Sequence, residues 1–164
     1  MARSELARKR RAIKQRVLNV ARSQLGYAER GNNWTKYGLW YGLNNQPWCA
    51  MFVSWVAAKA RVTRIIPKHA YTPSGAEWFK DRGAWGHKPR VGAIAYYDTA
   101  GLGRISHVGI VEKVGNGWWY SLEGNTNAAG SREGRIVRRQ RRTTTGSRGG
   151  FGYPDYTAQA RREL

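Results

Sequence analysis

The residue with the clearest nucleophilic chemistry in this 164-residue chain is Cys49, its one cysteine. It follows Pro47 at the start of an apolar stretch that is typical of a buried helix. At a helix start, unpaired backbone N–H groups and the positive end of the dipole both favour the thiolate, the nucleophilic form of cysteine. The same N–H groups could hold the oxyanion formed when a thiolate attacks a carbonyl. The alternative is a structural cysteine packed beside Trp48 and Phe52.

A cysteine nucleophile needs a base, and the chain offers three histidines. His69 and His87 lie among turn residues and lysines, so the sequence predicts exposed surface positions for both. His107 instead opens a predicted strand behind a glycine-rich turn. A strand gives the imidazole a rigid support while its ring can face a cleft, as a general base requires. A purely structural role is the alternative for His107.

A base must also be oriented, and Glu123 and Asn125 lie at the end of the next predicted strand. If the two strands pair through the turn at residues 115–117, the carboxylate of Glu123 can reach the imidazole edge that faces away from Cys49. It would then hold the tautomer and stabilise the imidazolium. The alternative is that both residues are ordinary polar neighbours of a turn.

The elements that would position these residues follow from the hydrophobic pattern. Helical spacing covers residues 4–25, 48–59 and 74–81, and the segment between the first two is irregular and rich in aromatic residues. Strand patterns follow at residues 91–97, 107–114, 118–123, 134–139 and 149–156. Helices first and an antiparallel sheet second predict an α+β fold, and the absence of a repeat or linker predicts one domain.

Three segments, taken in this order and spacing, resemble the CHAP family of cysteine, histidine-dependent amidohydrolases/peptidases: residues 47–55 (PWCAMFVSW), 106–111 (SHVGIV) and 123–125 (EGN). The resemblance runs from about Val17 to Tyr156. It implies a papain-like α+β fold, in which N-terminal helices carry the nucleophile cysteine at a helix start packed on an antiparallel β-sheet. It also implies cleavage of amide bonds in bacterial peptidoglycan, either as an amidase or as an endopeptidase.

The resemblance also implies roles for individual residues. The family's nucleophile corresponds to Cys49, its base to His107, its orienting acid to Glu123 and its accessory amide to Asn125. We further expect substrate contacts from four residues near the cysteine, with the first as a possible second oxyanion donor: Gln46, Trp48, Trp34 and Tyr41. Some relatives bind calcium in an Asp-rich loop before the cysteine, but residues 37–47 contain no carboxylate. We therefore expect no metal and no cofactor.

The resemblance sets the expected domain limits and setting. Residues 1–16 are predicted as a basic helical extension, 17–157 as the catalytic domain and 158–164 as a tail. The first residues lack the apolar stretch of a secretory signal. The expectation is a phage endolysin-like monomer without a membrane span. It would be made in the host cytoplasm and reach the cell wall by holin-type release or as part of a virion.

The net charge of +19 favours polyanionic partners. Charge alone places nucleic acid first, and a basic nucleic-acid-binding protein is one alternative function. No nucleic-acid-binding motif is recognisable, and the cysteine, histidine and glutamate set would stay unexplained, so no specific nucleic acid is expected. We instead predict that two basic runs, residues 8–11 and 138–142, attract anionic wall polymers in addition to peptidoglycan. A third reading is a catalytically inactive CHAP-like structural module of a phage particle.

Overall fold

The structure is a computed structural model that describes residues 2–99, 101–127, 129–145 and 149–164. The helices in these ranges are α1 (Arg3–Arg22), α2 (Lys36–Tyr41), α3 (Cys49–Lys59), α4 (Thr72–Asp81) and α5 (Tyr156–Glu163). The strands are β1 (Trp85–Gly86), β2 (Ile94–Tyr97), β3 (His107–Val114), β4 (Trp118–Thr126), β5 (Ile136–Thr143) and β6 (Gly149–Gly152). The predicted α+β class is confirmed.

The strands form one antiparallel sheet in the order β1-β6-β2-β3-β4-β5. Strands β3 and β4 pair through the turn at residues 115–117, with Ile110 opposite Leu122. In the neighbouring pair, Tyr97 of β2 lies opposite His107 of β3. The predicted pairing of the strands that carry His107 and Glu123 is therefore confirmed, and both residues lie near the same end of the sheet.

One face of the sheet packs against the helices. Buried residues of α1 and α3 share a hydrophobic core with alternate residues of the central strands, among them Ile94, Val108 and Ile110. Strand β4 packs tightly against α3 at Gly124, where a Cβ would lie 2.8 Å from the Trp48 ring and 2.9 Å from Phe52 Cβ. A residue without a side chain is required there, because a Cβ would push α3 away from the sheet.

The opposite face carries a second, smaller apolar cluster that includes Tyr97, Val111, Trp119 and Phe151. Side chains alternate between faces along a strand, so His107, opposite Tyr97, lies on this second face, and Val108 points to the helices. The rings of Tyr97 and His107 stack with centroids 6.1 Å apart. His107 is thus built into a second packed layer, on the face of the sheet opposite the helices.

The two terminal helices pack against each other. The carboxylate of Glu163 in α5 binds Arg16 of α1, with 2.6 Å between Nη2 and Oε2, and also contacts Lys9. Helix α1 is continuous across residue 16, the predicted end of the basic extension, and Ile13 is fully buried. In the predicted tail, Ala160 of α5 is also buried. Among the described residues, no helix is both long and apolar enough to cross a membrane.

Two local predictions differ from the structure. The irregular segment before Cys49 contains the short helix α2, which begins because the Thr35 side chain accepts a hydrogen bond from Gly38 N and ends at Gly42 with φ of 87°. The predicted strand at 149–156 ends at Gly152, and α5 follows because the Asp155 side chain accepts a hydrogen bond from Ala158 N. In both places, side-chain capping by Thr or Asp starts a helix.

Candidate active site

Cys49 is the first residue of α3 and opens on a groove of about 380 Å³. Its residual exposure of 4% is enough for the thiol to border the groove while the helix behind it stays buried. The preceding residue, Trp48, makes no side-chain cap, so it leaves the first backbone N–H groups of the helix uncapped. The groove walls combine apolar, polar and cationic side chains: Leu43, Gln46, Tyr71, Arg104, Ser106 and Arg132.

The His107 imidazole is joined to Glu123. Its Nε2 donates a hydrogen bond of 2.8 Å to Oε1 of the carboxylate, and both side chains are fully buried. Room for the carboxylate comes from Gly109, where a Cβ would lie 2.6 Å from Glu123 Cγ. The predicted contact between imidazole and carboxylate is therefore present, and it is made by Nε2.

The other ring nitrogen of His107, Nδ1, is left for Cys49. This atom is buried and makes no hydrogen bond of normal geometry to the described residues. The thiol is nevertheless close enough to contribute to the raised pKa of His107. A contact of this kind in a ligand-free site is often looser than in the substrate complex. The carboxylate therefore holds one edge of the imidazole, and Cys49 lies near enough to affect the charge of the ring.

Arg142 of β5 completes the buried charge network. Its Nε donates to Glu123 Oε2 at 3.0 Å, and its Nη2 donates to Oε1 of the same carboxylate. The guanidinium also lies over the Tyr97 ring, 4.7 Å from the centroid. Such a two-point contact fixes the plane of the carboxylate, and hence the plane in which the imidazole is held.

The network shifts the pKa values of both His107 and Glu123. Burial alone would lower the pKa of His107, but the Glu123 charge and the nearby Cys49 outweigh it and raise the pKa. Burial alone would raise the pKa of Glu123, but His107 and Arg142 outweigh it and lower the pKa. At neutral pH, an imidazolium and a carboxylate are therefore both favoured in a site that excludes water.

The prediction that His69 is exposed is wrong. Its ring is buried, with Nδ1 2.8 Å from Pro67 O and Nε2 3.2 Å from the Tyr96 hydroxyl. Because a carbonyl only accepts, Nδ1 carries the proton and Nε2 accepts from Tyr96. Burial lowers the pKa of His69 and keeps it neutral. His69 directly precedes Ala70 of the groove lining, whereas His87 is exposed as predicted.

Asn125 is fully buried and adopts a left-handed backbone with φ of 55°. Its Oδ1 accepts a hydrogen bond from Arg135 N at 3.3 Å, and its carbonyl accepts one from Gly134 N at 3.0 Å. No hydrogen bond joins Asn125 to His107 among the residues described. The contacts that it does make fix the loop between β4 and β5.

The four expected substrate-binding residues occupy different environments. Gln46 is exposed and lines the groove beside Cys49. Trp48 is fully buried, stacks on Tyr37 with centroids 5.6 Å apart, and does not reach the groove surface. Trp34 and Tyr41 are half-buried and lie outside the groove lining. Instead, the Arg30 guanidinium lies over the Trp34 ring, and the Lys68 ammonium lies over the Tyr41 ring.

Two residues that build the site, Arg142 and Gly109, were not predicted from the sequence. Arg142 stands in a run of arginines whose members look alike in sequence. Within the described part of that run, Arg142 binds Glu123 and Arg139 binds Glu112. Gly109 carries no functional group, yet it makes the space that Glu123 occupies. In the described part of the chain, no group of three or more His, Cys, Asp or Glu side chains could hold a metal ion.

The family follows from the comparison with known proteins. The CHAP domain profile matches residues 40–125, more than half of the 164 residues. The chain therefore belongs to the CHAP domain family. The matched region contains Cys49, His107 and Glu123. None of the curated proteins compared matches the chain.

Two solved structures share the fold. "The crystal structure of Ly7917" superposes with a TM-score of 0.53 at 18% identity, and "The crystal structure of Ly7917 with the hydrolyzing product of MDP" with 0.52 at 16%. Each match covers 86% of this chain, but only 62% and 63% of the solved chains. This chain therefore spans less than two thirds of the length of these structural neighbours.

We predict that Arg142→Gln lowers the free energy of unfolding by about 2–3 kcal/mol, because Glu123 would keep a buried charge with one partner fewer. Chemical denaturation at neutral pH measures this. Arg141→Gln is the matched control, since that side chain is exposed and lies over the Trp118 ring. Equal stability of the two variants would contradict the structural role assigned to Arg142.

Proposed function

We propose that this protein is a peptidoglycan hydrolase that cleaves a wall amide bond with Cys49 as nucleophile. The observation that carries the proposal is the buried contact between His107 and Glu123, with His107 one residue after Ser106 in the lining of the groove on which Cys49 opens. Family membership supports the substrate class, and the groove is large enough to hold a peptide segment. Lysis of a bacterial host by a phage is the proposed setting, for a free enzyme or a virion component.

The proposed reaction has two stages. The thiolate of Cys49 attacks the amide carbonyl and forms a covalent acyl-enzyme, while His107 gives its proton to the departing amine. A water molecule then attacks the acyl-enzyme as His107 takes up a proton, and the thiolate leaves. Glu123 stays ionised and holds the ring so that Nδ1 faces the sulfur, with its proton on Nε2 shared with the carboxylate.

The oxyanion of each stage is assigned to the N-terminus of α3. The backbone N–H of Cys49 has no acceptor within the helix and lies beside the sulfur that attacks. Gln46 is the proposed second donor, because its exposed side chain lines the same groove. We assign no substrate contact to Trp48, Trp34 or Tyr41, and we assign Asn125 to support of the loop. The cleaved amide is either the bond that an amidase hydrolyses or a bond that an endopeptidase hydrolyses.

Attraction to anionic wall polymers is proposed to come mainly from α1. Within the second basic run, Arg139 binds Glu112 and Arg142 binds Glu123, so only part of that run is free for outside partners. On α1, Arg8 and Arg11 are exposed, and neither lies within ion-pair distance of a described carboxylate. This places the proposed docking charge in the predicted extension, ahead of the catalytic domain proposed at 17–157.

Cys49→Ala should abolish hydrolysis of purified walls, with a loss of at least about 10³-fold, since the covalent step is removed. Turbidity loss of walls measures the rate, and thermal unfolding checks that the variant is folded. His107→Ala should lose nearly as much, and Glu123→Gln less. Hydrolysis retained in Cys49→Ala would exclude the thiol from the reaction. No hydrolysis by the unmodified protein would favour an inactive module.

Glu123→Gln should lower the pKa of His107, because the amide removes the charge that raises it. The alkaline limb of the pH profile for hydrolysis should then move to lower pH. In the unmodified protein, the ion pair stabilises the fold between two limits. Its contribution is lost as pH falls through the lowered pKa of Glu123 and as pH rises through the raised pKa of His107. NMR titration of the ring gives the shift, and an unchanged pKa would refute the role of Glu123.

Wall binding should fall steeply with added salt, because exposed charges are screened. The double variant Arg8→Gln/Arg11→Gln should bind walls more weakly and with a shallower dependence on salt. The matched control is Arg161→Gln/Arg162→Gln, which removes the same charge from exposed positions of α5. Sedimentation of the protein with walls measures binding. Equal weakening of both double variants would show that total charge acts, rather than the α1 run.

A further inference from the structure

The groove at Cys49 has a one-sided charge. Arg104 and Arg132 are the charged residues among its described lining, and none of the lining residues is acidic. Arg132 is half-buried and has only a loose contact, 4.0 Å from the exposed carboxylate of Glu133. Arg104 is exposed, and within the described ranges its side chain donates only to the carbonyl of its own neighbour, Ile105. Both cations are thus available to an outside partner.

Both arginines stand on loops that are fastened beside the site. The loop of Arg104 is tied by two backbone N–H groups that donate to Asp98 at 2.8 Å, and by Thr72 Oγ1, which donates to Ile105 O at 3.1 Å. This loop leads directly into His107. Such ties hold the position of the cation before substrate arrives, which lowers the entropy lost on binding.

The loop of Arg132 is fastened in the same way. Ser131 N donates to Asn127 Oδ1 at 3.2 Å, and Gly134 N donates to Asn125 O at 3.0 Å. This explains why buried Asn125 and its left-handed backbone matter to the groove, although Asn125 makes no contact with the imidazole. The loop therefore holds a guanidinium at the groove, in the connection between the strand of Glu123 and the strand of Arg142.

We propose that the groove selects wall peptides with a free carboxylate close to the cleaved amide bond, recognised by Arg132 with Arg104 as a second cation. This rests on the proposed function and adds the substrate class. Guanidinium groups pair with carboxylates through parallel hydrogen bonds, whereas a carboxamide carries no charge and offers one acceptor oxygen. Two unneutralised cations in one groove also repel cationic groups, so a lysine-like amine is disfavoured at the same position.

Hydrolysis of a defined set of wall peptides tests the proposal. Each free carboxylate is replaced in turn by a carboxamide, and kcat and KM are measured for every peptide. Replacement at one position should lower kcat/KM on the order of 10-fold, mainly through KM, because the contact binds substrate and transition state alike. The difference should shrink as salt rises. Equal cleavage of the acid and the amide at every position would overturn the proposal.

Variants of the arginines locate the effect. Arg132→Gln should remove most of the preference by slowing cleavage of the acid only, and Arg132→Lys should retain part of it. The double variant Arg132→Gln/Arg104→Gln should reduce the preference for the acid further. Arg141→Gln, with the same loss of charge on an exposed residue outside the groove lining, should leave the preference unchanged. A preference that survives both groove substitutions would assign the carboxylate contact elsewhere.

If the protein is not a peptidoglycan hydrolase, the peptide experiment gives a different result. All peptides would be left uncut by the unmodified protein, instead of cut at equal rates. In that case, calorimetry measures the binding of the acid and amide peptides to Cys49→Ala. This tests carboxylate recognition independently of hydrolysis. Tighter binding of the acid that disappears with Arg132→Gln supports carboxylate recognition, and equal binding refutes it.

Discussion

A carboxylate with no exposure to water constrains this structure more than any other group. Glu123 retains its charge only because His107 and Arg142 bind both of its oxygens. A buried charge without partners would cost several kcal/mol, so the three side chains must be placed together. They come from three adjacent strands, β3, β4 and β5. The order and register of those strands are therefore part of the site, and an imidazole of fixed orientation is the result.

The sheet can hold these side chains together because it has glycines at two close contacts. On one face, Gly109 leaves space for Glu123, and on the other, Gly124 lets α3 approach β4. Cys49, at the start of α3, is brought to the same end of the sheet as His107. One layer thus supplies the nucleophile, and the other face supplies the base and its partners. His107 connects the two layers because, as the first residue of β3, it lies at their common edge.

Much of this arrangement could be predicted from the sequence. The pairing of β3 with β4 followed from two alternating segments around a short glycine turn, and that pairing alone put Glu123 beside His107. Arg142 could not be predicted, because its partner depends on which face of β5 it occupies. Trp48 was expected to contact substrate because it adjoins Cys49, yet adjacent residues at a helix start point in different directions and Trp48 is fully buried. His69 was predicted to be exposed because turn residues and a lysine surround it in sequence, but its buried partners, Ser54 and Tyr96, come from distant segments.

The single thiol of the chain has a redox consequence. A thiolate that reaches solvent through a groove is open to oxidation to the sulfenic acid, which other proteins often rescue with a second, resolving cysteine. This chain has no other cysteine, so no disulfide within it can protect the sulfur from further, irreversible oxidation. Recovery would depend on thiols from outside the chain. The same groove that admits a peptide would therefore also decide how long the sulfur survives in an oxidising medium.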